Sequence, residues 1–393
     1  MTTAIRDRVV DRFRDLHGRS PEVLVRAPGR VNLLGAHVDY NEGWVLPGAI
    51  DRAIWLAAGR GSQPALRASS LELGPAEPVP LAAVPGPAAE GGRPSRGWID
   101  YAAGVVWALV AAGHQVPPLD AVVGSELPAG AGVSSSAALE VAFLLAFREL
   151  GALSFDRIEA ARLGRRVEND YLGVQSGIMD QFACLHGRAG NVILLDCRTL
   201  EWQMLELPAG VGVVVADSGV RRRLVDGPLN DRRGECVEAL RRIQESTPRI
   251  AALRDVTAPL LEASARTLPP LLARRVRHVV EECARVRHGA DLLRGGCDAA
   301  ALGALMRDSH RSSRDLYQVS LPELDVLAEA AWSAPGCHGA RLVGAGFGGC
   351  VAALHDDAGG AAVAAAMERA FSARFGRRPP LLHCRFADGA SVE

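Results

Sequence analysis

The sequence predicts an α+β protein of two domains, divided near residue 200, with a cleft between them. Three observations predict it. Strand and helix patterns are mixed through the first half. The stretch from 231 to 331 is mostly helical in its spacing. The chain then closes on a strand, a glycine-rich turn, a strand, a helix and a last strand between residues 339 and 386. At 393 residues the chain is long enough for two or three domains, and 48% apolar with 23% charged residues is a globular composition.

The elements follow in order. Ile5, Val9, Phe13 and Leu16 recur at helical spacing among charges, which reads as an amphipathic helix and not a secretory signal. Residues 22–26 form a strand candidate ending at the turn APGR (27–30). Residues 31–34 and 45–50 read as strands around the polar loop GAHVDYNEG. The stretch 61–96 is rich in Pro, Gly and Ala and reads as strands with variable loops. Residues 98–112 are helical, and 121–125 form a strand feeding a glycine-serine turn. The run LPAGAGVSSSAALEVAFLLAFREL (127–150) then opens one long apolar helix that ends at Gly151, and its run 141–147 is too short to span a bilayer. A helix over 156–170, a loop carrying Asp180, strands at 191–196 and 211–217, a helix over 361–375 and a strand over 381–386 complete the reading. The expected domains are 1–200 and 201–393.

The chain contains no lysine, so all 44 cationic side chains are arginine. That excludes a Walker-type phosphate loop and a protein-kinase site, each of which needs a lysine on the phosphates. Any nucleotide must be held by backbone N–H groups, hydroxyls, arginine and a metal. A net charge of −1 argues against a general nucleic-acid binder, and the arginine clusters at 221–223 and 274–277 read as solvated faces or local ion pairs. The eight cysteines are scattered, with none in a CxxC pair, so neither a zinc site nor a disulfide framework is indicated and reduced cytosolic thiols are expected.

Three loops are too rich in polar or glycine residues to be mere connections. PGRVNLLGAHVDYNEG (28–43) gathers Arg30, Asn32, His37 and Asp39 beside apolar strands. It reads as a polar surface loop or as a hydroxyl-recognition site, since carboxylate and imidazole accept hydrogen bonds from a polyol. Gly130, Gly132, Ser134, Ser135 and Ser136 precede a helix. They read as an ordinary capped helix start or as an anion site, because the first N–H groups lack partners and carry the positive end of the helix dipole. GARLVGAGFGGC (339–350) contains G-x-G-x-G-G but is followed by a strand, so it is not a dinucleotide fingerprint. It is a tight turn or a backbone wall beside a ligand. Asp180 sits among apolar residues, where a carboxylate is costly unless paired or used, and Glu168 is a metal-ligand candidate.

Taken together and in this order, the three segments resemble the signature motifs of the GHMP small-molecule kinases, and within them the galactokinase family. GIMDQF (177–182) and ADGA (387–390) fit the same pattern. The resemblance implies a GHMP-kinase-like α+β fold, with a mixed-sheet N-terminal domain, an antiparallel-sheet C-terminal domain, and ATP near their interface. It implies ATP-dependent phosphorylation of the anomeric hydroxyl of galactose or a related monosaccharide. By position, Asp180 would be the catalytic base and Arg30 its electrostatic partner. Ser136 and Glu168 would hold Mg²⁺. Gly130, Gly132, Ser134 and Ser135 would wrap the phosphates, with Ser136 beside them and Trp98 flanking the adenine. His37, Asp39 and Gly177 would line the sugar site with Asp180. The partners would be a monosaccharide and MgATP, with no nucleic acid and no membrane, in a cytoplasmic monomer or weak oligomer.

The chain departs from that pattern twice. Ala36 stands where the family has a glutamate that accepts a sugar hydroxyl, with Val38 in place of threonine, and Leu229 aligns with a sugar-contacting tyrosine. A lost hydrogen bond to a charged group costs about 1.5–3 kcal/mol, enough to move substrate preference. Two other readings compete: a sugar- and ATP-binding regulator without turnover, and a GHMP kinase for another alcohol such as mevalonate or homoserine. The intact SSSA run with Arg30 and Asp180 favours catalysis, and the HVDYNEG and GIMDQF segments argue against the other alcohols.

Overall fold

The computed structural model describes residues 4–84, 86, 96–221, 228–296 and 298–393. Arg222, Arg223, Cys297 and most of 85–95 lie outside the described residues.

In chain order, helix α1 (Ile5–His17) leads into β1 (Val23–Asn32), β2 (Trp44–Val45), the long β3 (Pro47–Arg60), β4 (Ala65–Ser70), β5 (Gly74–Pro75) and β6 (Val79–Pro80). Next come α2 (Ile99–Ala111), β7 (Leu119–Ser125), α3 (Ser135–Gly151), α4 (Arg157–Arg166), α5 (Met179–His186), β8 (Asn191–Asp196), β9 (Trp202–Glu206) and β10 (Val211–Asp217). Five helices follow: α6 (Pro228–Ser246), α7 (Ala258–Thr267), α8 (Pro270–Arg294), α9 (Ala299–Ser312) and α10 (Pro322–Trp332). The chain ends with β11 (Cys337–Val343), β12 (Cys350–Asp356), α11 (Gly360–Phe375), β13 (Leu381–Cys384) and β14 (Ser391–Val392).

The first sheet runs β14-β1-β3-β7-β4-β5, with β6 also on β4. It is mixed, because β4 pairs with β7 in parallel and the other pairs are antiparallel. A second sheet, β11-β12-β10-β13, is wholly antiparallel, and β2-β8-β9 form a small third one. Helix α3 is mostly apolar because it is mostly buried, with Ala137–Phe147 packed between the first sheet and α2, α4 and α5, and its one charged residue in that run, Glu140, accepts from Gln181 Nε2 at 3.0 Å. Among the described residues no helix is long and apolar enough to cross a membrane.

Several boundaries differ from expectation. Strand β1 does not stop at 27–30. It runs through that segment in register with β3, with one irregularity between Pro28 and Arg30 that absorbs the proline. The helix over 156–170 ends at Arg166 and continues as a π-helical turn, Val167–Leu172. Gly151 is the last helical residue of α3, and Ala152 takes the left-handed cap at φ +49°. Asp180 lies in the first turn of α5 and not in a loop. Leu16 is exposed, so the buried stripe of α1 is Val9 and Phe13 against Leu24, Ala57 and Val122. Of the two readings of the 274–277 cluster, Arg275 takes the ion pair and not the solvated face: it is wholly buried, its guanidinium paired with Glu235 at 2.5 Å and bonded to the Leu316 carbonyl.

Candidate active site

The end of β1, the turn before α3, the start of α5 and the β11–β12 turn converge on one cavity. Three of its walls are the loops that the sequence singles out.

Strand β1 delivers Arg30 with its side chain buried. Its Nε and Nη2 donate to the two carboxylate oxygens of Asp180 at 2.8 and 2.6 Å, a bidentate pair. Its Nη1 donates to the Gly132 carbonyl at 2.7 Å, tying the pair to the glycine-serine turn. Ser134 Oγ donates to Asp180 Oδ2 at 2.5 Å. Ser134 is the N-cap residue of α3, yet its hydroxyl is turned to Asp180 and, among the described residues, no side chain caps the helix. The first N–H groups of α3 are therefore left for an anion.

The turn and the third motif meet backbone to backbone. A Cβ on Gly132 (φ +80°) would stand 2.6 Å from the Val343 carbonyl, and one on Gly344 (φ +85°) would stand 2.7 Å from the Gly132 Cα. Only glycine permits that approach. Residues 344–349 therefore form the backbone wall. At the rim, Arg221 donates from Nε to the Ala129 carbonyl at 2.9 Å and pairs with Asp217 at 2.5 Å.

Two further carboxylates face the same space. Asp39 is raised to about 6, first by burial and then by the negative charge of Asp180, with Arg30 opposing. It lies against Gly177, where any Cβ would overlap its carboxylate. Glu168 opens onto the cavity from the π-helical turn, a feature common at functional sites. It is raised to about 7, first by burial and then by Asp180, against hydrogen bonds from Ser176, Gln181 and Ser136. Ser136 Oγ donates to Glu168 Oε1 at 3.2 Å, and Ser176 Oγ donates to Oε2.

Arg30, His37, Asp39, Gly130, Gly132, Ser134, Ser135, Ser136, Glu168, Gly177 and Asp180 all line this one cavity. Ala36 and Leu229 line it too, so the two apolar departures face the same space as the polar groups. Trp98 does not line it and instead packs, partly buried, against the core at the start of α2.

Sequence reasoning missed the groups behind the 35–41 loop. Glu282 of α8 is fully buried and accepts the N–H groups of Gly35 and Ala36 at 2.8 and 3.0 Å, Ser309 Oγ at 2.5 Å and Arg285 Nε at 2.7 Å. Burial alone would raise its carboxyl, but Arg285 and Arg341 overcome that and hold it well below the usual carboxylate range. One turn earlier, burial lowers His278 to about 4, so its ring is neutral. Its Nε2 lies 3.0 Å from the Ala36 carbonyl and its Nδ1 2.8 Å from Ser312 Oγ. The findable signal was a histidine and a glutamate four apart on one helix face.

The chain is similar to known proteins over nearly its whole length. Residues 100–188 match the family described as GHMP kinases N terminal domain, residues 293–373 the GHMP kinases C terminal family, and residues 11–60 the galactokinase galactose-binding signature. The chain is 43% identical over 379 residues to the galactokinase of Roseiflexus sp. (strain RS-1), covering 96% of this chain and 95% of that one. It is 40% identical over 379 residues to that of Chloroflexus aggregans, with the same coverage. The structure of Lactococcus lactis galactokinase complexed with galactose superposes with a TM-score of 0.91 at 31% identity, over 99% of this chain and 100% of that one. An L. major mevalonate kinase shares the fold, with a TM-score of 0.60 at 19% identity over 93% of this chain and 96% of that one. With its two GHMP segments, its galactose-binding signature and relatives 40% and 43% identical over nearly its full length, this chain belongs to the galactokinase family of the GHMP kinases.

Proposed function

We propose that the protein transfers the γ-phosphoryl group of ATP to the anomeric hydroxyl of galactose or a closely related monosaccharide. The observation that carries this reading is Asp180, held by Arg30 and Ser134 at the point where the glycine-serine turn meets the cavity that Asp39 and His37 also line. Phosphoryl transfer needs positioning and neutralisation of spreading charge more than covalent help. Asp180 accepts the proton of the attacking hydroxyl. Arg30 sets the direction of that carboxylate. The uncapped N–H groups of α3 and the backbone around Gly130 and Gly132 face the charge that develops on the phosphoryl oxygens.

The donor set fits Mg²⁺. Glu168 is a buried carboxylate already bonded to the Ser136 hydroxyl, and Mg²⁺ typically takes one or two carboxylates with substrate phosphates and water. Ser136 and Glu168 would hold it, and it would supply neutralisation of phosphate charge. Among the described residues no cluster of three or more His, Cys, Asp or Glu forms an all-protein metal cage.

The relatives' names and the galactose in the Lactococcus lactis structure support galactose as acceptor. Ala36 and Leu229 make part of the wall apolar, so a sugar with one polar group fewer is the variant of this reading to test beside it. A division near residue 200 and a cytoplasmic monomer or weak oligomer belong to the same proposal. All described cysteines are free, which suits a reducing compartment. The test is ADP release with MgATP against a panel of free hexoses, pentoses and deoxysugars. Turnover with galactose or a near relative is expected, and no turnover with any sugar overturns the reading.

A further inference from the structure

We propose that a row of hydrogen bonds running from Cys236 through Tyr317 and Tyr40 keeps the ring proton of His37 on Nε2, so that His37 is a hydrogen-bond donor into the cavity. The row is continuous. Cys236 Sγ lies 3.2 Å from Tyr317 Oη, Tyr317 Oη 3.0 Å from Tyr40 Oη, and Tyr40 Oη 2.8 Å from His37 Nδ1. Beyond His37 it stops, because among the described residues the buried Nε2 has no hydrogen-bond partner, and the ring lines the cavity.

His37 is held rigidly in this position. Its ring stacks on Tyr317 at 4.8 Å between centroids. Its carbonyl accepts from Asn41 Nδ2 at 2.9 Å. Its backbone is held left-handed at φ +58°, unusual for a residue with a side chain. Burial, with His278 and Arg341 nearby, lowers its pKa well below the ordinary value, so the ring carries a single proton.

The proton then has two places and the row two directions. With the proton on Nδ1, the imidazole would donate to a phenol oxygen, which accepts poorly, and the row would end with a phenol O–H on a thiol sulfur, also a weak acceptor. With the proton on Nε2, the Tyr40 O–H, the better acid, donates to a neutral imidazole nitrogen, the better base. Tyr317 donates to Tyr40, and only the weak S–H donor of Cys236 stands at the far end. The second arrangement places the strongest donor on the strongest acceptor. His37 then offers N–H where the neighbouring Asp39 offers a carboxylate. One wall thus presents a donor and an acceptor together, which suits a sugar hydroxyl or a pair of adjacent ones.

The consequence for sugar rests on the proposed function, but the proton position does not. Long-range ¹H–¹⁵N NMR of the intact labelled protein at neutral pH reads it without turnover, with His37→Gln assigning the signals. A neutral ring protonated on Nε2 is expected, and a proton on Nδ1 or a charged ring overturns the proposal. In Tyr40→Phe, a second His37 population protonated on Nδ1 should appear, with a rise in sugar KM of about 3- to 10-fold for one weakened hydrogen bond. Tyr40→Phe with the proton still wholly on Nε2 would show that the row does not place it.

Discussion

Asp180 and Asp39 share one pocket and answer to different neighbours. Asp180 takes two bonds from Arg30 and one from Ser134, so its direction is fixed before any ligand arrives. Asp180→Asn keeps the size and one acceptor but cannot take up the hydroxyl proton. It should lower kcat on the order of 10²-fold or more while the protein still folds, with a lower melting temperature because the buried Arg30 loses its ionic partner. Near-normal kcat in that variant removes Asp180 from the chemistry. Asp39 gives a pH signature instead. Raised to about 6, it is protonated below that pH and ionised above it. Because kcat/KM reports groups of the free enzyme, kcat/KM for sugar should fall as pH drops through about 6. Asp39→Asn should lower kcat/KM and flatten that step. A step of unchanged size in the variant assigns it to another group.

At the scale of elements, the 35–41 loop owes its shape to α8. Glu282 binds the two N–H groups just before His37, and Arg285 and Arg341 compensate its charge. Removing one member of such a buried set leaves the others uncompensated, a loss of about 3–5 kcal/mol. Glu282→Gln should cost stability on that scale in urea unfolding, and the folded fraction should show a raised sugar KM because the loop is released. A loss below about 1 kcal/mol would mean that the loop holds itself. In the sequence this anchor shows only as a histidine and a glutamate four apart on one helix, and nothing local to residues 35 and 36 points to a residue 246 positions away. The three loops themselves were legible, because each packs its polar or glycine residues into one short run. The path of β1 through Pro28 was not. Whether a strand survives a proline depends on its partner, and here β3 supplies the register.

The whole molecule joins its ends and its halves. Strand β14 returns from the C-terminus to pair with β1, and the Gly132 backbone touches that of Gly344. The α+β class was legible from the alternation of patterns. The return of β14 was not, since a two-residue strand carries no periodicity of its own. What this closure encloses is a cavity crowded with carboxylates, and that has a thermodynamic sign. Glu168 is raised from its ordinary 4.5 to about 7, so the folded chain binds this proton more tightly than the unfolded one. The stability this contributes is complete below about pH 4.5 and is lost as pH rises through 7. Glutamine does not titrate. Glu168→Gln should therefore be more stable than the parent at pH 8, by about 2 kcal/mol, with the advantage shrinking as pH falls towards 5. On the proposed function, in which Ser136 and Glu168 would hold Mg²⁺, the same substitution should also abolish most turnover. Thermal melts of both proteins at pH 5 and pH 8, without nucleotide, measure the first effect. A variant that melts below the parent at pH 8 would show that the Ser136 and Ser176 hydrogen bonds outweigh the burial of charge.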